Sequence, residues 1–78
     1  MQKVFFIHAE WDEEAGVWVA TSDDVPGLAT EADTLEALSA KLESMVPELL
    51  DANGWPESQE VHFELLARKF SVAQRAAA

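Results

Sequence analysis

Short alternating runs of apolar and polar residues enclose one long run with a three-four period, which predicts strands around a single helix. From Lys3 to Trp11, the residues Phe5, Ile7, Ala9 and Trp11 occupy one parity and Val4 and Phe6 the other. This first strand is therefore expected to be covered on both faces, at least in part. Asp12-Glu13-Glu14-Ala15-Gly16 is a polar connection ending in glycine and suits a hairpin loop of about five residues. Val17 to Thr21 follows as the second strand. A bulge at Gly16 would change which of its residues faces Trp11, and the pattern leaves that open. Asp23-Asp24-Val25-Pro26-Gly27 favours a turn, and Leu28 to Ala32 reads as a short third strand.

Asp33 is placed to cap a helix, with Glu36 reaching back to the Asp33 amide in a capping box. Leu35, Leu38, Leu42, Met45, Val46, Leu49 and Leu50 then recur at spacings of three and four, an amphipathic stripe. Leu35, Leu38, Leu42, Met45 and Leu49 are expected to lie on the sheet. Pro47 interrupts the stripe and should kink the helix, because it removes a hydrogen bond and crowds the carbonyl of Glu43. Asn53-Gly54 is a natural left-handed end, and Trp55-Pro56 begins the connection to a last strand from Glu60 to about Lys69. There Val61, Phe63, Leu65 and Ala67 share one face and His62, Glu64, Leu66 and Arg68 the other. The predicted order is β-β-β-α-β, an α+β fold with one helix on a small, mostly antiparallel sheet and the last strand beside the first. Residues 1–70 form the domain and 71–78 a frayed or short helical tail. One helix shields one face only, so at least a homodimer is expected.

Charge sharpens this picture. The chain has 78 residues, 49% of them apolar, with no cysteine and a formal charge of −10. That excludes a disulfide framework and Cys-based zinc sites. No apolar run approaches the roughly 20 residues that span a bilayer, and the first residues are too short an apolar run for a signal peptide. A cytoplasmic location is the expectation. All fifteen carboxylates lie between Glu10 and Glu64, against Lys3 and Lys41, so residues 1–67 carry −13 and residues 68–78 carry +3. Such a domain repels phosphate backbones and attracts a basic partner. The same acidity also keeps a small protein dispersed, and charge alone leans slightly that way.

Enzyme chemistry finds little support in the residue pattern. A metal-dependent hydrolase needs carboxylates converging on ions roughly 3.5–4 Å apart. Here Glu10 stands at the end of a strand, Glu36, Glu43 and Glu48 are interleaved with the helix stripe, and Glu64 opposes Val61 and Phe63. His8 and His62 would approach if the first and last strands paired, but two histidines without a third ligand are a weak zinc signal. Ser22, Thr30 and Ser39 have no triad spacing, and there is no glycine-rich phosphate loop. No catalytic, cofactor or metal residue is assigned. Trp11, Trp18 and Trp55 are a heavy load for one small core. Tryptophan is enriched at interfaces, so core filling and contact with a partner stand as alternatives for at least one of them.

The run from Trp11 to Leu38 carries a composite pattern. An acidic hairpin ends in Gly-Val-Trp-Val-Ala (Gly16 to Ala20), Asp24-Val25-Pro26-Gly27 follows, and Ala32-Asp33-Thr34-Leu35-Glu36-Ala37-Leu38 opens the helix. It resembles the N-terminal domain of HicB antitoxins. Closer still is its likeness to a short stand-alone branch, a domain of unknown function, in which Trp-Asp-Glu-Glu-Ala-Gly and Pro-Glu-Leu-Leu also recur. Ala32 stands where that pattern usually has glycine. The resemblance implies a partial ribonuclease-H-like fold and direct neutralisation of a small, basic, mRNA-cleaving toxin with a double-stranded-RNA-binding-like fold. Longer HicB antitoxins add a DNA-binding helix-turn-helix or ribbon-helix-helix; residues 1–78 show no such segment, so specific DNA binding by this chain is not expected. A basic partner is expected to contact Asp12, Glu13, Glu14, Asp23 and Asp24, with Trp18 nearby, since connections present charge freely. A metal-dependent hydrolase on a ribonuclease-H-like scaffold, or a structural or ligand-binding oligomer with no toxin partner, stands as the alternative.

Overall fold

The computed structural model describes residues 3–55 and 60–76. Its elements are β1 (Val4–Asp12), β2 (Val17–Thr21), β3 (Ala29–Ala32), α1 (Leu35–Ala52) and β4 (His62–Arg68), the β-β-β-α-β order of an α+β fold. The sheet is mixed, in the order β3-β2-β1-β4. β1 pairs antiparallel with β2 and parallel with β4, and β2 pairs antiparallel with β3.

Register settles the hairpin. Trp11 stands opposite Trp18 and Asp12 opposite Val17, leaving four residues, 13–16, in the loop. Gly16 closes it at a φ of 67°, with its amide donating to the Asp12 carbonyl at 2.8 Å. The Asp12 carboxylate accepts from the Glu14 and Ala15 amides at 3.1 and 3.2 Å, so this acid organises its own turn.

The buried core joins Phe5, Ile7 and Ala9 of β1 to Ala20, Val25, Leu28 and Ala32, and to Leu38, Leu42, Val46 and Leu50 of the helix. The helix is thus centred on four residues each four apart, with Leu35, Ala37 and Leu49 packed at the margins. Met45, expected on the sheet, is only half-buried and lies outside this cluster. Four residues overshoot one turn by about 40°, so a run of such steps drifts across the helix surface and brings Val46 rather than Met45 to the centre. Phe63 and Leu65 of β4, with Val61 just before it, are half-buried against the core as expected, whereas Ala67, expected on the same face, is exposed.

Both helix ends are chemically defined. Thr34 is the N-cap, its Oγ1 accepting from the Ala37 amide at 3.0 Å. Asp33 does not cap, because the helix starts one residue later than the sequence pattern places it. Glu36 then falls in the first turn, where a carboxylate favours the helix dipole, instead of at the position a capping box needs. At the other end the Gly54 amide donates to the Asp51 carbonyl and the Trp55 amide to that of Leu50, with Gly54 at a φ of 76°. These paired bonds form a Schellman motif. The helix continues through Pro47. Lys41 fastens it to the sheet by donating from Nζ to the Glu31 carbonyl at 2.6 Å. No helix among the described residues is long and apolar enough to cross a membrane. Pro56 lies outside the described residues, as do Ala77 and Ala78 of the tail. From Lys69 to Ala76 the chain is exposed and has no helix or strand.

Candidate functional site

The sheet face away from α1 carries Val4, Phe6, His8 and Glu10 of β1 beside His62, Glu64, Leu66 and Arg68 of β4. The sequence leads one to expect cover on both faces of β1. In the single chain this second face stays open, with Val4, Phe6 and Leu66 41%, 43% and 45% exposed. A shallow groove of about 310 Å³ forms there, lined by Phe6, His8, Leu66, Asp23 and Asp24.

The turn after β2 builds the acidic wall. β2 stops pairing with β1 at Thr21, opposite His8, and leaves the Phe6 backbone without a strand partner on that side. Side chains take over. The Ser22 hydroxyl donates to the Phe6 carbonyl at 2.6 Å and accepts from the Asp24 and Val25 amides at 3.0 and 3.1 Å. The Asp24 carboxylate accepts from the Phe6 amide at 2.8 Å. Val25 is fully buried behind this turn, and Gly27 adopts a φ of 79° that lets the chain double back to β3. One oxygen of Asp24 is therefore committed to backbone, whereas Asp23 is exposed.

The expected contact residues do not form one surface. Asp12, Glu13 and Glu14 lie at the hairpin, and Asp23 and Asp24 lie beside Phe6, six strand positions away, or about 20 Å. Trp18 sits with the hairpin group but on the helix side, packed edge-on against Trp11 at 5.3 Å between ring centroids. Glu13 accepts from the Trp11 indole at 2.8 Å, and Lys69 Nζ lies 5.0 Å from the centre of the same ring, in cation–π range. Trp55 packs edge-on against Phe5 at 5.4 Å and is 40% exposed. Sequence reasoning missed Phe6, His8 and Leu66 as groove residues. The signal for Phe6 and Leu66 was their off-parity apolar character on two strands that are neighbours in the sheet; His8 joins them by sharing their face.

His8 pairs with Leu66 and His62 with Val4, so the histidines stand four positions apart along the strands, about 13 Å. Among the described residues no group of three or more His, Asp or Glu side chains is arranged to hold a metal ion.

The match that decides the family is to the model described as a domain of unknown function (DUF1902), over residues 4–76. The chain belongs to the DUF1902 family. A solved structure agrees: the crystal structure of hypothetical protein TTHA1013 from the extremely thermophilic bacterium Thermus thermophilus is 56% identical, with a TM-score of 0.79. The alignment covers 91% of this chain and 100% of that one. No curated protein matches. The DUF1902 match spans all five elements and every residue of the groove.

Proposed function

We propose that this DUF1902 chain is a protein-binding module of the HicB antitoxin type, which takes a small basic protein and performs no catalysis itself. The groove carries the reading: Phe6 and Leu66 lie exposed beside Asp23 and Asp24 on a face that the chain's one described helix leaves uncovered. Apolar surface of this kind supplies contact area, and the adjoining carboxylates favour lysine and arginine over other partners. The charge of −13 over residues 1–67 extends that preference beyond contact distance and steers encounter. The same charge disfavours phosphate backbones, so the chain alone binds no specific DNA.

The placement of the carboxylates supports binding over hydrolysis. Glu10 and Glu64 share the open sheet face but are separated by four strand positions, and the helix carboxylates occupy the other layer. A two-metal reaction needs them within a few ångströms of common ions. In the HicB-type reading, the partner is a small toxin that cleaves mRNA in the cytoplasm, and binding occludes its basic RNA-contacting surface.

The test is co-expression with a small basic protein encoded beside this gene. Growth arrest by that protein alone, relieved by this chain and accompanied by a complex of the two purified proteins, is the expected result. Magnesium-dependent RNA cleavage by the pure chain, abolished by one carboxylate substitution, would overturn the reading.

A further inference from the structure

We propose that two copies of this chain exchange their C-terminal segments, residues 69–76 of each lying in the Phe6–Leu66 groove of the other. The proposal rests on the reading of that groove as a site for basic, partly apolar chain, and names a second copy as an occupant.

The segment has the matching chemistry. Phe70 and Val72 are 89% and 71% exposed, the most exposed large apolar side chains among the described residues. Arg68, Lys69 and Arg75 make the end of the chain basic, and residues 65–78 contain no carboxylate side chain. The groove offers the complement, with Phe6 and Leu66 for apolar contact and Asp23 beside them for a cation. Burying a Phe and a Val side chain favours association, so their isolated exposure in one copy is a cost that a second copy removes.

Direction decides between a chain's own groove and its neighbour's. β4 runs parallel to β1 with Glu10 opposite Arg68, so Lys69 falls at the level of Trp11, over whose ring its Nζ lies. β1 then turns away at the hairpin, and the segment continues past it without a strand to pair with. Its own groove lies behind it, at the Phe6 end of the same strand. β4 is also an edge strand, with β1 as its neighbour. Two copies related by a two-fold axis beside that edge run antiparallel, which sends each segment toward the Phe6 end of the other copy. An exposed edge is also the part of a sheet most ready to pair with a second chain.

The test uses the full chain in sedimentation equilibrium at micromolar concentration. Wild type should be dimeric. The double variant Phe70→Asp/Val72→Asp should weaken self-association by about a hundredfold or more, with an unchanged far-ultraviolet circular dichroism spectrum, because both side chains are exposed in the single copy. Leu66→Lys, in the groove, should do the same. An equimolar mixture of the two variants should regain a dimer, since that pair keeps one intact segment in one intact groove. A monomeric wild type, a dimer that survives Phe70→Asp/Val72→Asp, or a mixture that stays monomeric would overturn the exchange. Binding of the basic partner to the Phe70→Asp/Val72→Asp chain, whose groove is unaltered, separates the two readings. Binding to that chain without wild-type dimerisation removes the exchange alone. A wild type that dimerises as expected, with no binding of the basic partner to the Phe70→Asp/Val72→Asp chain whose groove is free, removes the antitoxin reading alone.

Discussion

The Asp24 carboxylate accepts a hydrogen bond from the Phe6 amide at 2.8 Å, replacing a strand partner that β2 no longer supplies. With Ser22 on the Phe6 carbonyl, one residue's backbone is satisfied on both groups by side chains from the same turn. The Asp24-Val25-Pro26-Gly27 turn is in this sense part of the sheet. Asp24→Ala should lower stability by about 1–2 kcal/mol, because a charge-assisted bond to backbone is lost from a half-exposed site. In a domain of this size each kcal/mol shifts Tm by roughly 4–8 °C. Asp23→Ala should stay within about 0.5 kcal/mol of wild type. Thermal melts of the two variants compare them directly, and equal losses would refute the division of roles.

The helix start offers a similar contrast between neighbours. Thr34→Ala removes the acceptor for the Ala37 amide and should cost about 1 kcal/mol. Asp33→Ala removes no cap bond, only a carboxylate near the positive end of the helix, worth a few tenths of a kcal/mol. Urea unfolding at neutral pH should rank Thr34→Ala as the more damaging change. The opposite ranking would restore Asp33 as the cap.

The element order, the two-faced alternation of β4 and the Asn53-Gly54 helix end were legible in the sequence, because each depends on local period or turn chemistry. The pairing of the last strand with the first followed from the crossover that one helix between strands makes. Thr34 and Asp33 were not separable that way, since both are good caps and the choice depends on where β3 releases the chain. Met45 and Val46 adjoin on the stripe, and only contact with the sheet selects Val46. The groove was the least legible part. It exists because Ser22 and Asp24 reach residue 6 across 16 and 18 positions of chain. Counting carboxylates in connections also overstated how many face outward uncommitted: Asp12 holds its own turn, Glu13 holds the Trp11 indole and Asp24 holds Phe6.

Trp11 and Trp18 face each other across β1 and β2 with their ring planes inclined at 63°. Edge-to-face aromatic pairs contribute about 0.5–1.5 kcal/mol beyond area burial. A double-mutant cycle with Trp11→Leu and Trp18→Leu should therefore give a coupling energy in that range. Strict additivity of the two losses would show that the rings pack independently, and would return Trp18 to consideration as a contact for a partner.

Asp23→Lys is the cleanest probe of how the groove recognises basic chain. Reversing Asp24 as well would break the bond to Phe6 and mix a folding defect with a binding one. Asp23 is exposed and has no such role in the turn, so its reversal changes the field at the groove while the Ser22–Phe6–Asp24 arrangement stays intact. Charges at the rim of an interface act chiefly on association rate. Binding of the small basic partner should therefore slow several-fold at an ionic strength of about 0.01 M, where the Debye length is near 30 Å. At about 1 M, where it is near 3 Å, the variant and wild-type rates should converge. Stopped-flow mixing at both salt concentrations measures this. A rate indifferent to the reversal at low salt would mean that Asp23 does not face the partner, and that the acidity of this turn serves only the chain itself.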